Sequence, residues 1–234
     1  MSAEYVCFDI ETTGLLAGDK VVSYCLLEGG GDTASAYGAD EKEILEQLSV
    51  DVKQVAGWIL VTYNGENWHG GFDVPFLRTR YLLNGMMDLY PFRGMWHIDL
   101  LPIVQKRFNT TVSENPRLED LSATELRELG KPKLTKAENI KWIRDNDPTM
   151  EKVQKFMVEN DKWKIVSRNG LKYVSGLFFG TEIGMTGEDV PALAEAGEYE
   201  LIHEYNVEDC RKTQKLLEVC QAMCPRYEMK AHAL

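Results

Sequence analysis

Positive charge is scarce in this chain, and long apolar runs are missing. Its 234 residues hold 26 lysines and arginines against 37 aspartates and glutamates, a formal net charge of −11. A surface that coats nucleic acid along its whole length is excluded by that balance, because such a surface needs many cations. No apolar run approaches the roughly 18 residues of a membrane span. The opening Met1-Ser2-Ala3-Glu4 has neither the basic nor the apolar segment of a signal peptide. The expectation is a cytoplasmic protein with no membrane partner. Cysteine is sparse as well: Cys7, Cys25, Cys210, Cys220 and Cys224 are odd in number and irregularly spaced. They read as free thiols in a reducing compartment rather than as a disulfide framework. Cys220, Cys224 and His232 fall short of a four-ligand zinc site, and two thiols on one turn of a terminal helix is the plainer reading.

What is present is the composition of a folded domain: 44% hydrophobic and 27% charged, at a length suited to one α/β domain with an insertion. Tyr5 to Ile10 is a short β-rich run that ends in the polar turn Glu11-Thr12-Thr13-Gly14. Val21 to Leu27 and Thr33 to Tyr37 read as two further strands. Asp40 is placed to cap a helix that carries Ile44, Leu45, Leu48, Val52 and Val55 at helical spacing. Trp58 to Tyr63 is a buried strand stopped by Asn64-Gly65. A helix from about Asp73 to Leu83 follows, with Pro75 tolerable in its first turn. Trp96 to Leu100 is a further short strand. Tyr199 to Met223 contains no proline or glycine and reads as one long helix. Three early strands and then helix–strand alternation predict a mixed sheet with helices packed on it.

The stretch 131–172 differs. It holds eleven basic and six acidic residues, a net +5 within a −16 background, together with Trp142, Phe156, Trp163 and Tyr173. Two readings stand. One is a solvated helical insert whose aromatics anchor it. The other is a guide for a single strand, in which Lys152, Lys155, Lys162 and Lys164 meet phosphates and the aromatics stack on bases.

Carboxylates carry the functional signal. Asp9 and Glu11 stand two apart on a strand, so they project from one face. Tyr205 and Asp209 stand four apart on a helix and share a face there. Asp73 follows Gly70-Gly71-Phe72; taken alone, it reads better as a helix N-cap than as a functional acid. Taken together, the runs Phe8-Asp9-Ile10-Glu11-Thr12-Thr13-Gly14, Tyr63-Asn64-Gly65…Phe72-Asp73-Val74-Pro75-Phe76-Leu77 and Tyr205-Asn206-Val207-Glu208-Asp209 occur in that order. They resemble the three signature motifs of the DEDD-type 3′–5′ exonuclease superfamily in its tyrosine variant (DnaQ-like). The likeness is to the proofreading exonuclease domain of family B DNA polymerases and its stand-alone relatives.

The resemblance implies an RNase H-like fold: one α/β domain over 1–234, a central mixed sheet flanked by helices, and the basic, mainly helical insert before the C-terminal helix. It implies two divalent cations, Mg²⁺ or Mn²⁺, for which hard oxygen ligands are suited. Carried over, Asp9 bridges the ions, Glu11 and Asp209 complete the shell of one, and Asp73 supports the other. Tyr205 orients the attacking water. Thr12, Thr13, Asn64 and Phe72 become contacts to the last nucleotides, although either threonine could simply satisfy its turn. Between Asn64 and Asp73 the chain is longer than is usual in the polymerase domains, and Trp68 and His69 there are placed to stack on a base. His97 and Asp99 read as a structural hydrogen-bonding pair, Leu201 and Ile202 as core, and His203 as pointing away from the acids. The expected activity is release of nucleoside 5′-monophosphates from the 3′ end of single-stranded or frayed DNA. Alternatives are the same chemistry on RNA and an inactive nucleic-acid-binding module. A DNA polymerase or repair protein acting in trans is the expected protein partner.

Overall fold

The computed structural model describes residues 4–67, 70–114, 118–160, 164–180, 184–224 and 231–234. They form two compact units, one made of residues up to Phe108 together with Asn169–Leu234, the other of Asn109–Arg168.

The first unit is built on a six-stranded mixed sheet. Its strands are β1 (Tyr5–Thr12), β2 (Val21–Glu28), β3 (Thr33–Tyr37), β4 (Ile59–Thr62), β5 (Trp96–Asp99) and, from the chain end, β8 (His232–Ala233), in the order β3-β2-β1-β4-β5-β8. β1 pairs antiparallel with β2 and parallel with β4, and β4 pairs parallel with β5. The helices of this unit are α1 (Glu41–Gln54), α2 (Asp73–Leu83), α3 (Leu100–Arg107), α7 (Leu171–Phe179), α8 (Val190–Ala196) and α9 (Tyr199–Met223). Asp40 caps α1 as expected, its carboxylate accepting from Lys42 N and Glu43 N. No helix among the described residues is long and apolar enough to cross a membrane.

Strand alternation decides what faces what. Val6, Phe8 and Ile10 of β1 join Tyr24, Leu26 and Leu60 in a core closed by Ile44, Leu45 and Leu48 of α1 and Leu77 and Tyr81 of α2. The residues between them point the other way: Cys7, with Cys25, Leu27, Val61 and Ile98, packs beneath Cys210, Leu216, Leu217 and Cys220 of α9. Asp9 and Glu11 continue this second set, so the period of two along β1 aims both acids at the α9 face. A buried ion pair secures the turn between β1 and β2. Arg80 donates from Nε and Nη2 to the two oxygens of Glu41, at 2.7 and 2.6 Å, and from Nη1 to Ala17 O. Glu41 also accepts from Val21 N.

The second unit contains β6 (Thr111–Glu114), α4 (Ala123–Leu129), α5 (Lys136–Asn146), α6 (Glu151–Glu159) and β7 (Lys164–Ser167), with β6 and β7 antiparallel. Leu118, Leu121, Leu126, Ile143, Val153 and Met157 form its own core, against which Trp142 and Phe156 pack. Ser122 and Thr135 close capping boxes on α4 and α5. This unit begins earlier than the 131–172 stretch, and its 12 basic and 11 acidic residues nearly cancel. The positive balance of 131–172 therefore depends on where that stretch is cut. Lys131 lies over the Trp142 ring at 5.4 Å, and Lys155 faces Glu159 at 3.8 Å. Lys162 and Trp163 lie outside the described residues, as do Trp68 and His69. Lys172 and Tyr173 belong to the first unit, where Lys172 Nζ donates to the carbonyls of Gly184 and Met185.

Candidate active site

α9 crosses the sheet above β1 and β2. Its buried stripe includes Ile202, Asn206, Asp209, Thr213, Leu216 and Cys220, the 3.6-residue recurrence of an inward helix face. This docking brings Asp209 to the two acids of β1. One carboxylate oxygen from each of Asp9, Glu11 and Asp209 lies within 4.8 Å of the others. Glu11 and Asp209 are buried and Asp9 is half-buried. Oxygens so close repel unless protons or cations intervene. Burial first, and then the Asp209 charge, pushes the Asp9 carboxyl well above the usual range. Glu11 is raised likewise, by burial and then by the charges of Asp9, Asp209 and Asp73.

Asp73 is not part of that tight trio. It is the first residue of α2, whose N-cap is Phe72 without any side-chain capping bond, so the capping role that the sequence allowed is not the one it plays. Its carboxyl is buried, and Oδ2 has no hydrogen-bond partner. Burial, and then Asp9 and Asp99, hold its proton affinity up. An orphaned buried oxygen costs stability unless something satisfies it. The all-oxygen donor set, the crowded trio and this orphan together fit hard divalent cations.

The remaining residues divide by surroundings. A cleft of about 630 Å³ is lined by Asp9, Glu11, Thr12, Asn64, Phe72, Tyr205 and Asp209, with Leu15 at its edge. Leu15 is 80% exposed. The Tyr205 hydroxyl holds its proton strongly, through burial and the Asp209 and Glu11 charges. Thr12 Oγ1 donates to Gly14 O at 2.6 Å, whereas Thr13 Oγ1 accepts from Lys20 N at 2.9 Å and closes the turn. Asn64 has a positive φ of 69°. Its N–H donates to Asp99 Oδ1 and its carbonyl accepts from Phe72 N at 2.7 Å. The 65–71 excursion leaves and returns at these bonds, so its extra length does not displace Asn64 from the cleft. Gly71 makes the return possible: its φ is +91°, and a Cβ there would sit 2.6 Å from Glu66 Cα.

His97 is buried, with Nε2 at 2.8 Å from Thr62 Oγ1 and Nδ1 at 3.3 Å from His232 Nε2. Asp99 caps α3 and holds the Asn64 and Asn67 loop. His203 lies between Ser23 and Ser35 and stacks on Tyr37. Ile202 is core, but Leu201 is 47% exposed, a correction to the sequence expectation: it points out of the stripe that buries its neighbour. The five thiols are buried and form no disulfide.

Two residues at the cluster escaped the sequence reading. Asn206, fully buried, donates from Nδ2 to Asp9 Oδ2 at 2.6 Å and accepts from Ser23 Oγ. Lys212 is 5% exposed and donates to Asp209 Oδ1 at 2.6 Å. Both stand three residues from Asp209, a spacing that signals the same helix face.

Comparison with known proteins bears on the family and the fold. No curated protein matches the chain. Among solved structures, a family B DNA polymerase from the hyperthermophilic archaeon Pyrobaculum calidifontis superposes with a TM-score of 0.58 at 15% identity. That alignment covers 94% of this chain and 25% of the polymerase, so the likeness is of fold and the chain spans about a quarter of that protein's length. A family model, RNase_H_2, described as RNase H superfamily, matches residues 6–154, a stretch that carries Asp9, Glu11 and Asp73 and ends before α9. With the mixed sheet and the clustered carboxylates beside it, that match identifies the chain as a member of the RNase H superfamily.

Proposed function

We propose that the chain is a metal-dependent 3′–5′ exonuclease that hydrolyses phosphodiester bonds at the 3′ end of single-stranded or frayed DNA and releases nucleoside 5′-monophosphates. The observation that carries this reading is the convergence of Asp9, Glu11 and Asp209 within 4.8 Å at a cleft that Tyr205 also lines. Asp9, Glu11 and Asp209 would hold one divalent ion, and Asp9 with Asp73 a second. When bound, such ions neutralise charge on the attacking and leaving oxygens of an in-line displacement.

The chain's own groups do the rest. Tyr205 keeps its proton at neutral pH, so it positions the attacking water by hydrogen bonding and does not serve as a base. Asn206 holds the Asp9 carboxylate in place by its 2.6 Å bond. Phe72 and the exposed Leu15 offer apolar surface to the bases of the strand end, while Thr12 and Asn64 offer polar groups to its sugars. Thr13 acts on the substrate indirectly, through the turn it closes. A DNA polymerase or another replication or repair protein is the partner class that this reading favours.

The test uses one oligonucleotide labelled at its 5′ end and one labelled at its 3′ end. With Mg²⁺ or Mn²⁺ the first should shorten as a ladder and the second should lose its label at once. Chelator should abolish both, as should Asp9→Ala. Undiminished degradation by Asp9→Ala, or a ladder running from the 5′ end, would sink the assignment. Matched DNA, RNA and mismatched-duplex substrates in the same assay rank the substrates.

A further inference from the structure

Lys212 is a buried cation among buried acids, and the pattern of acids and tyrosine has no place for it. Lysine is almost never fully buried unless it is paired. Here the side chain lies beside Asp209 on α9, and its ammonium is 2.6 Å from Asp209 Oδ1 and 5.8 Å from the centre of the Tyr205 ring. It does not line the cleft. It lines instead the groove on the other side of Tyr205, with Met185, Leu193 and Leu201. Lys212 therefore touches the proposed chemistry through Asp209 and Tyr205 and not through the cleft itself. Its positive charge also acts on Asp9 and Glu11, opposing the mutual repulsion of the acids. Packing alone does not account for a lysine here. A leucine would fill the stripe without desolvating an ammonium and without the entropy lost in fixing a long side chain.

We propose that Lys212 is a positioning residue of the divalent-cation site: its ammonium clamps one oxygen of Asp209, leaves the other for a cation, and weakens cation binding until substrate arrives. The proposal rests on the metal-dependent reading above. A fixed positive charge at Asp209 repels any divalent ion sharing that carboxylate. The phosphate of an incoming strand supplies negative charge that offsets the repulsion. Full loading of the site is thereby coupled to substrate, while Asp209 stays oriented in its absence.

Two variants separate charge from clamp. Lys212→Met removes both; Lys212→Gln removes the charge and keeps an N–H donor for Asp209. Mn²⁺ binding without nucleic acid, followed by electron paramagnetic resonance or calorimetry, should be roughly tenfold tighter in both variants. At saturating Mn²⁺, kcat should fall further in Lys212→Met than in Lys212→Gln. A Kd that is unchanged or weaker in a variant that still melts cooperatively overturns the proposal, because a merely structural lysine would give that result. Lys212→Gln carries the affinity test by itself if the methionine variant does not fold. The binding measurement needs no turnover, so a chain inactive on every substrate would overturn the exonuclease reading and still judge Lys212. No Mn²⁺ binding to the wild type or to either variant would overturn both.

Discussion

Asn206 Nδ2 donates to Asp9 Oδ2 at 2.6 Å, joining the buried face of α9 directly to the strand that carries two of the acids. The same amide accepts from Ser23 Oγ on β2 at 3.2 Å. One side chain thus fixes the seat of the helix and the rotamer of the acid. Hydrogen bonds to charged groups contribute about 1.5–3 kcal/mol. Asn206→Ala should lower the unfolding free energy by that order, read from denaturant melts. It should also lower kcat by roughly ten- to hundredfold through a misplaced Asp9.

Tyr205→Phe tests the water-positioning role. Losing one hydrogen bond to the attacking water should cost about ten- to a hundredfold in kcat. The Mn²⁺ affinity should stay unchanged, because the hydroxyl is not a ligand in this reading. Equal activity in the two proteins would remove Tyr205 from the chemistry.

The crowded acids set a pH dependence for the metal-free protein. Asp9, Glu11 and Asp73 take up protons more readily when folded than when unfolded. The native state then binds more protons, and stability falls as pH rises through the raised values. In chelator, Glu11→Gln should become the more stable protein as pH is raised from 5 to 8, measured as the difference in Tm. Added Mn²⁺ at pH 7.5 should raise the wild-type Tm and reverse that order.

His97 works in the opposite direction. Burial first, and then the neighbouring His232, lowers its pKa from 6.5 to about 3. Between these values the unfolded chain binds the extra proton, so stability is lost as pH falls below about 6.5. The Tm advantage of the wild type over His97→Gln should shrink between pH 7.5 and pH 5. A constant gap would contradict a neutral buried His97.

The Arg80–Glu41 pair is an independent test of the scaffold. Its side chains are 8% and 5% exposed, and Glu41 also receives Val21 N and Asn84 Nδ2. Removing one partner leaves a buried charge unpaired, a loss of about 3–5 kcal/mol. Arg80→Met should lower the denaturation midpoint accordingly, and should lower activity by loosening the turn after β1 that Ala17 O anchors.

The sequence by itself determined the elements and the acids. Alternation along Tyr5–Thr12 put Asp9 and Glu11 on one face, Asp40 marked the start of α1, and the unbroken run Tyr199–Met223 became α9. These are local properties, set by side-chain period and capping chemistry, and they are readable over a few residues. Tertiary structure decided what the local pattern left open. Asp73 could be a cap by sequence, yet the fold makes Phe72 the N-cap and leaves Asp73 Oδ2 buried and unpaired. Thr12 and Thr13 look alike in sequence, yet only Thr12 lines the cleft, because Thr13 is drawn into the bond with Lys20. The basic stretch 131–172 lies mostly within a unit whose ends are drawn by chain contacts, and that unit as a whole is nearly neutral. Lys212 shows the reason most plainly. Its partner Asp209 is three residues away on the same helix, but its burial depends on where α9 docks over the sheet, and that docking is the sum of contacts between residues nearly two hundred positions apart.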